Sequence, residues 1–373
     1  MKDIEKVAAA LENKNYGTAA KLLKQLQKQS PQNPWVMLYI GRWYEETEKL
    51  KSAEKMYRQL LQNATNPKVI DQARKGLKRL EAIEQNQRQA AISEAKADPR
   101  NTESGVLILK PINPEYKQTA AQHLAKLLKT DPYTARMQLQ SRGWRLYRTG
   151  EMAELQVYGQ EMQKAQIPVF WVSFAEIENI NVFRVSYFQA LSPQPIVVCK
   201  NQNNQLGSLT FDWSEVSQRV EGLLPLFMDA MDYDPRRRRT DQFRHKKMTQ
   251  DYAQVYDLHL DDRQSILRFC DQTYDFQQGI SLSSTSRNTQ KNTSYSLENT
   301  TRLNWNRLLD TFNHSLADVP LWSDFTPFAE TAIDYTQLLS RFKSHIDIER
   351  KSETPWDPAF HLYSGLVFIN KRS

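Results

Sequence analysis

Three carboxylates and one imidazole lie close together in the segment from residue 257 to residue 262. In a β-strand, side-chain alternation places Asp257, His259 and Asp261 on the same face. Oxygen and imidazole groups in this arrangement can bind a divalent metal ion. A catalytic zinc, however, normally takes three well-placed ligands, often two of them histidines, and no second histidine has a matching spacing. We therefore predict no metal site and expect the end of a strand with a partly exposed histidine.

The densest basic stretch in the chain is the segment 236–247, which holds Arg236, Arg237, Arg238 and Arg239 and then the run Arg244-His245-Lys246-Lys247. Such runs attract phosphates and acidic protein surfaces, which makes this segment a possible phosphate or acidic-partner contact. Pro235 and the lack of apolar periodicity instead indicate an exposed, solvated loop. We prefer the loop interpretation and keep nucleic-acid binding as an alternative.

Sequence signatures of catalysis are missing from this chain. It has only 11 glycines and contains neither GxGxxG nor GxxxxGK[ST], and no serine lies in GxSxG. Cys199 and Cys270 are too few for a disulfide framework or a four-thiolate metal site. We predict a non-enzymatic protein with no cofactor. The alternative is an enzyme whose site is not readable from sequence, because catalytic groups meet in space and not along the chain.

The elements that position these residues belong to a folded chain of 373 residues, with 40% hydrophobic residues and a net charge of +7. This length predicts two or three domains with sizeable cores. No long apolar run occurs, and the first residues lack the basic start and apolar stretch of a secretion signal. We therefore expect a cytoplasmic protein with no membrane insertion.

An internal repeat occupies the first part of the chain. The stretch that begins at Asn15 recurs from Lys49, and Ala19 corresponds to Ala53 with an offset of 34 residues. A constant offset of 34 residues is the tetratricopeptide period, in which each unit consists of a helix, a turn and a second helix.

The second copy carries more of the pattern of that family. Gly41, Tyr44, Ala53 and Tyr57 stand at the family's positions, while Met37 stands where the family favours tryptophan. On these residues the segment resembles tetratricopeptide repeat (TPR) proteins. A third helical stretch is expected to cap the array, because a solenoid must cover its last apolar face.

The resemblance implies a concave surface that receives a peptide or helix of another protein. In the register of the repeat, Trp35, Leu38, Arg42 and Glu45 point into this groove. Tryptophan and arginine are enriched at binding hot spots, so we expect Trp35 to anchor the partner and Arg42 to orient it. The predicted role is a scaffold, adaptor or assembly factor that binds one or more proteins.

The predicted fold class is α+β multidomain, with four segments. Residues 1–88 form the TPR-like helical repeat, residues 89–104 a linker, residues 105–230 a small α/β sandwich, and residues 231–373 a mixed β/helical domain. The last of these includes a flexible loop, residues 278–301, which is rich in Ser, Thr and Asn.

The sandwich is predicted from the order strand, helix, helix, strand, helix, strand. In outline it is similar to the C-terminal domain of the ribosomal stalk and to protease adaptors of the ClpS kind. A helix is predicted from Ser214 to Phe227. Residues 105–373 also resemble, weakly, uncharacterised cyanobacterial proteins that contain TPRs, and no activity follows from either likeness.

Overall fold

The computed structural model describes residues 2–233, 243–280, 301–348, 350 and 353–370. Contacts divide the chain into two compact units, Met1–Ala95 and Lys96–Ser373, each of which is described by itself. The first is helical and the second contains two sheets with further helices, so the predicted α+β multidomain class is confirmed. In the part of the chain that is described, no helix combines the length and the apolar character needed to cross a bilayer.

The first unit consists of five helices. Asn15 and Asn33 begin the second and third, because their side chains accept hydrogen bonds from the first-turn amides of Thr18 and Trp35, at 3.2 and 3.0 Å. The helices are α1 (Lys2–Glu12), α2 (Tyr16–Gln29), α3 (Pro34–Glu46), α4 (Leu50–Asn63) and α5 (Pro67–Ala95).

Helix α5 is longer than the capping helix that the sequence predicts. It runs to Ala95 and so makes the first residues of the predicted linker, 89–104, helical. The physical reason is composition: Ala, Gln and Glu are good helix formers, and no proline follows until Pro99. The remainder of that segment is a short 3-10 helix, Pro99–Thr102, and the start of a strand.

The Tyr57 ring is held between two glycines in the core of the first unit. A Cβ atom at Gly41 would lie 2.7 Å from Tyr57 Cε1, and one at Gly76 would lie 2.5 Å from Tyr57 Cε2. Both distances are too short for real contacts, so the two glycines let α3 and α5 approach the ring from opposite sides. This explains why the family pattern has glycine at position 41.

Replacing Gly76 by alanine should therefore lower the free energy of unfolding by about 1–3 kcal/mol, the usual cost of overpacking a core. Alanine is otherwise the better helix former by about 1 kcal/mol, so the clash outweighs the propensity gain. Gly17→Ala in α2 is the matched control, because nothing lies within 4 Å of the added Cβ. Urea denaturation monitored by circular dichroism measures the stability of both variants. A Gly76→Ala variant as stable as Gly17→Ala would contradict the clash.

The second unit contains a three-stranded antiparallel sheet in the order β2-β1-β3. Helices α6, α7 and α8 cover one face, and this confirms the predicted order of strands and helices. The elements are β1 (Ser104–Leu109), α6 (Lys117–Leu128), α7 (Pro132–Gln138), β2 (Arg145–Glu151), α8 (Met152–Lys164), β3 (Val169–Ser173) and α9 (Phe174–Glu178).

A seven-stranded sheet follows, in the order β10-β7-β8-β9-β4-β5-β6. Helix α10 covers one face, and α11, α12 and α13 pack on the other. The elements are β4 (Asn181–Ala190), β5 (Ile196–Lys200), β6 (Leu206–Thr210), β7 (Val216–Tyr233), β8 (Phe243–Leu260), β9 (Ser265–Cys270), α10 (Thr301–Ser315), β10 (Leu321–Trp322), α11 (Phe325–Ala332), α12 (Thr336–Leu339) and α13 (Trp356–Asn370).

Strand β7 corrects the prediction of a helix from Ser214 to Phe227. After a 3-10 turn, Trp213–Glu215, the chain pairs with β8 along its whole length. Gly222 and Pro225 disfavour a helix here, and the long-range pairing decides the outcome. The predicted boundary after residue 230 consequently lies inside β7 and does not separate two domains.

Helix α13 is buried on nearly all sides. It contacts β3 of the three-stranded sheet and β7 of the seven-stranded sheet, and it therefore lies between them. Twelve consecutive residues, 357–368, are buried. The aromatic C-terminal segment of the sequence is thus the core that joins the two sheets of this unit.

Candidate protein-binding site

Trp35, Leu38, Arg42 and Glu45 follow one another at helical spacing along α3, the helix expected to line the groove. Leu38 is only 3% exposed and lies in the core formed with Ala53 of α4 and other apolar residues of α4 and α5. Its predicted role as a groove residue is therefore wrong. Buried residues of both α4 and α5 belong to the same cluster.

Glu45 is occupied within the unit. Its carboxylate accepts a hydrogen bond from Tyr57 Oη at 2.6 Å and receives a forked pair of bonds from Arg79, at 2.7 and 2.9 Å. Burial and the adjacent carboxylate raise the pKa of Tyr57, so its hydroxyl stays protonated and donates. Glu45 thus joins α3, α4 and α5, and these contacts inside the unit use both oxygens of its carboxylate.

Trp35 and Arg42 stay at least partly accessible. The indole of Trp35 packs against the edge of the α3–α5 core without being fully covered. The guanidinium carbon of Arg42 lies 5.8 Å from the ring centroid of Tyr39 on the same helix. An indole and a guanidinium seven residues apart on one helix present an apolar and a cationic contact to a bound segment.

Trp43 is a further residue of this unit that the sequence reasoning missed. Its Nε1 donates a hydrogen bond to the backbone oxygen of Tyr16 at 3.0 Å and so ties α3 to α2. Lys49 Nζ lies 5.1 Å from the Trp43 ring centroid.

The sequence signal that could have found the Glu45–Arg79 pair is its separation of 34 residues, equal to the repeat period.

Residues 10–70 match the family model of the tetratricopeptide repeat. By this match the N-terminal helices are similar to a tetratricopeptide repeat, and we call them the TPR module. The match covers the last residues of α1, all of α2, α3 and α4, and the start of α5, in agreement with the helices described above. Comparison with curated proteins and comparison with solved structures gave no match for this chain.

The second group of candidate residues lies in the other unit, in a buried polar cluster. Asp257 is fully buried and forms a forked ion pair with Arg268, at 2.9 and 2.7 Å. Ser364 Oγ donates to Asp257 Oδ2 at 2.6 Å and lies 2.9 Å from His259 Nε2. His259 is also fully buried, so the expectation of a partly exposed histidine is wrong.

The carboxylate of Asp257 is occupied by Arg268 and Ser364 in this cluster. Arg268 neutralises Asp257, while Asp261 is no longer in the strand but begins the 3-10 helix Asp261–Arg263. Among the described residues, no group of three or more His, Cys, Asp or Glu side chains could hold a metal ion.

The remaining sequence candidates are the cysteines and the arginine run. Cys199 and Cys270 are buried and unpaired, and burial raises the pKa values of their thiols to about 11 and about 12. Both thiols stay protonated at neutral pH. Arg236 to Arg239 lie outside the described residues, as does most of the predicted flexible loop 278–301. Residues 243–247 of the predicted basic loop belong to strand β8, so for them the loop interpretation is wrong.

Proposed function

We propose that this protein is a non-enzymatic adaptor or scaffold whose TPR module binds a segment of another protein. The family match of residues 10–70 carries the proposal, because TPR modules are protein-interaction units. The accessible Trp35 and Arg42 on α3 support it. The capture is expected to be stoichiometric and without turnover.

We expect fewer residues to contact the partner than the four predicted from the repeat register. Leu38 and Glu45 are used within the module, so Trp35 supplies the apolar anchor and Arg42 the charge. Arg42 favours a partner segment with a carboxylate near its anchoring side chain, because guanidinium and carboxylate groups form paired hydrogen bonds.

Replacing Trp35 by alanine should cost about 2 kcal/mol or more of partner affinity, the size of a binding hot spot. A native pull-down with mass spectrometry identifies the partner of the whole chain, and calorimetry then compares the two proteins. The module should still unfold at nearly the same urea concentration, because the indole lies at the edge of its core.

Leu38→Ala is the matched control. Leu38 is buried, so this variant should lose about 2–5 kcal/mol of stability. If Trp35→Ala destabilises the module as much as Leu38→Ala does, Trp35 is a core residue and the proposed anchor is wrong. If the partner is retained by a chain lacking residues 1–88, the TPR module is not the binding site.

A further inference from the structure

Three large hydrophobic side chains are exposed on the α6–α7 surface of the second unit. Tyr116, Tyr133 and Met137 are 66%, 74% and 63% exposed. Tyr116 precedes α6 and the other two lie on α7, within 22 residues of chain. Tyr133 and Met137 line the same cleft, and exposed apolar groups that share a site are typical of interaction surfaces. We call this group, with the cationic residues described below, the α6–α7 patch.

The backbone under the patch is well anchored. Asp131 begins α7 by accepting a hydrogen bond from the amide of Thr134 at 2.9 Å. Ala135 turns into the core beneath the sheet, which directs Tyr133 and Met137 outward. The outward orientation of these two residues is therefore a consequence of how α7 packs, and their exposure is built into the fold.

Two clefts adjoin the exposed side chains. One, of about 510 Å³, is lined by Tyr133 and Met137 together with Lys117 and Arg136. The other, of about 490 Å³, lies beside Tyr116 and is mostly apolar. Each is large enough to receive a side chain of a bound segment.

The charge of the patch is positive. Lys117 and Arg136 make no ion pair with any residue that the structure describes. Between residues 110 and 142 the sequence has six Lys and Arg against two Asp and Glu. Asp131, one of the two carboxylates, stays ionised because hydrogen bonds from Thr134 lower its pKa, and the cations still outnumber the carboxylates by four. The surface around the apolar groups is thus cationic.

We infer that the α6–α7 patch binds an acidic segment of another protein, with an aromatic or large aliphatic side chain inserted beside Tyr133 and Met137. The inserted side chain covers the exposed surface of Tyr133 and Met137 and so removes it from water. The carboxylates of the bound segment pair with Lys117 and Arg136. The patch contains no residue of the TPR module, so this inference goes beyond the proposed function and does not depend on it. An adaptor with both sites would hold two proteins.

A random-peptide phage library selected on the full chain tests this inference. The selected peptides should be enriched in Asp and Glu around one aromatic or aliphatic residue. By fluorescence anisotropy, they should bind about tenfold more weakly to a Tyr133→Ser/Met137→Ser variant and to a Lys117→Glu/Arg136→Glu variant. Only the second variant should also lose the salt dependence of binding.

Leu206→Ser is the matched control, because Leu206 is 65% exposed on β6, outside the patch. It should leave peptide binding unchanged. The inference is overturned if selection yields no binder, if the selected peptides show no acidic enrichment, or if they bind both patch variants as well as the parent. It is also overturned if light scattering shows a dimer that only the patch variants dissociate, since the occupant would then be a second copy of this chain.

Discussion

Arg268→Met should lower the free energy of unfolding of the second unit by about 3–5 kcal/mol, the usual cost of breaking a buried ion pair from one side. Arg268 is 2% exposed and Asp257 is fully buried, so the variant leaves a carboxylate in the core with no counter-ion. The guanidinium also donates to the backbone oxygen of Ser344 and lies 5.0 Å from the ring centroid of Phe360. Its loss therefore loosens contacts to β8, α13 and the segment after α12 together.

Urea denaturation followed by tryptophan fluorescence measures this loss. Arg58→Met, at the exposed Arg58–Glu54 pair of α4, is the control and should change stability by no more than about 0.5 kcal/mol. The double variant Asp257→Leu/Arg268→Met should be more stable than Arg268→Met alone, because it removes the orphaned charge as well. A single variant with the stability of the parent would mean that Asp257 finds another partner or takes up a proton.

Lowering the pH below about 6.5, the ordinary pKa of histidine, should destabilise the second unit through His361. Burial, and then the charge of Arg268, hold the pKa of His361 well below that value. The unfolded chain takes up a proton that the folded chain does not. Each pH unit of acidification therefore lowers the free energy of unfolding by up to about 1.4 kcal/mol. The contribution of neutral His361 to stability is therefore fully present above pH 6.5, and it is lost as the pH falls toward the folded-state pKa.

His345 adds to this effect. Its ring centroid lies 5.2 Å from that of His361, and burial, with the nearby Arg268 and Arg184, lowers its pKa to about 4. Other cationic and acidic groups near it, Lys343 and Asp347, act in opposite directions and are weaker.

Comparing the parent with His361→Phe isolates the contribution of His361. Phenylalanine keeps an aromatic ring against Phe342 and His345 but cannot be protonated. Unfolding free energies measured between pH 7.5 and pH 4.5 should fall less steeply for the variant. Equal slopes for the two proteins would show that His361 takes up its proton as readily in the folded chain as in the unfolded chain, and would contradict burial as the cause.

Local patterns in the sequence were enough to predict the TPR module. Ala19 recurs as Ala53 at the 34-residue period of a helix pair, and Gly41, Tyr44 and Tyr57 stand at the family's positions in the second copy. Contacts within such a unit are short in sequence separation. The order of strands and helices around β1 to β3 was readable for the same reason. Each of these elements has an apolar period of its own, and the structure confirms the α+β class.

The roles of individual residues in the candidate site depended on contacts that no local pattern encodes. Leu38 and Arg42 lie about one turn apart on the same helix, yet Leu38 is buried in a cluster with residues of α4 and α5, whereas Arg42 is partly accessible. Glu45 forms an ion pair inside the module, because Arg79 of α5, 34 residues later in the chain, donates to its carboxylate. Side-chain type predicted which residues could bind, whereas neighbouring helices decided which are accessible.

The sequence by itself therefore determined the repeat, the class of fold and the residue types available for binding, because these follow from short-range periodicity. The tertiary structure decided that Ser214–Phe227 is mostly strand, that His259 is buried, and that the C-terminal helix lies between two sheets. These outcomes rest on strand pairing and ion pairs between distant parts of the chain. Such long-range interactions outweigh local propensities of about 1 kcal/mol or less per residue.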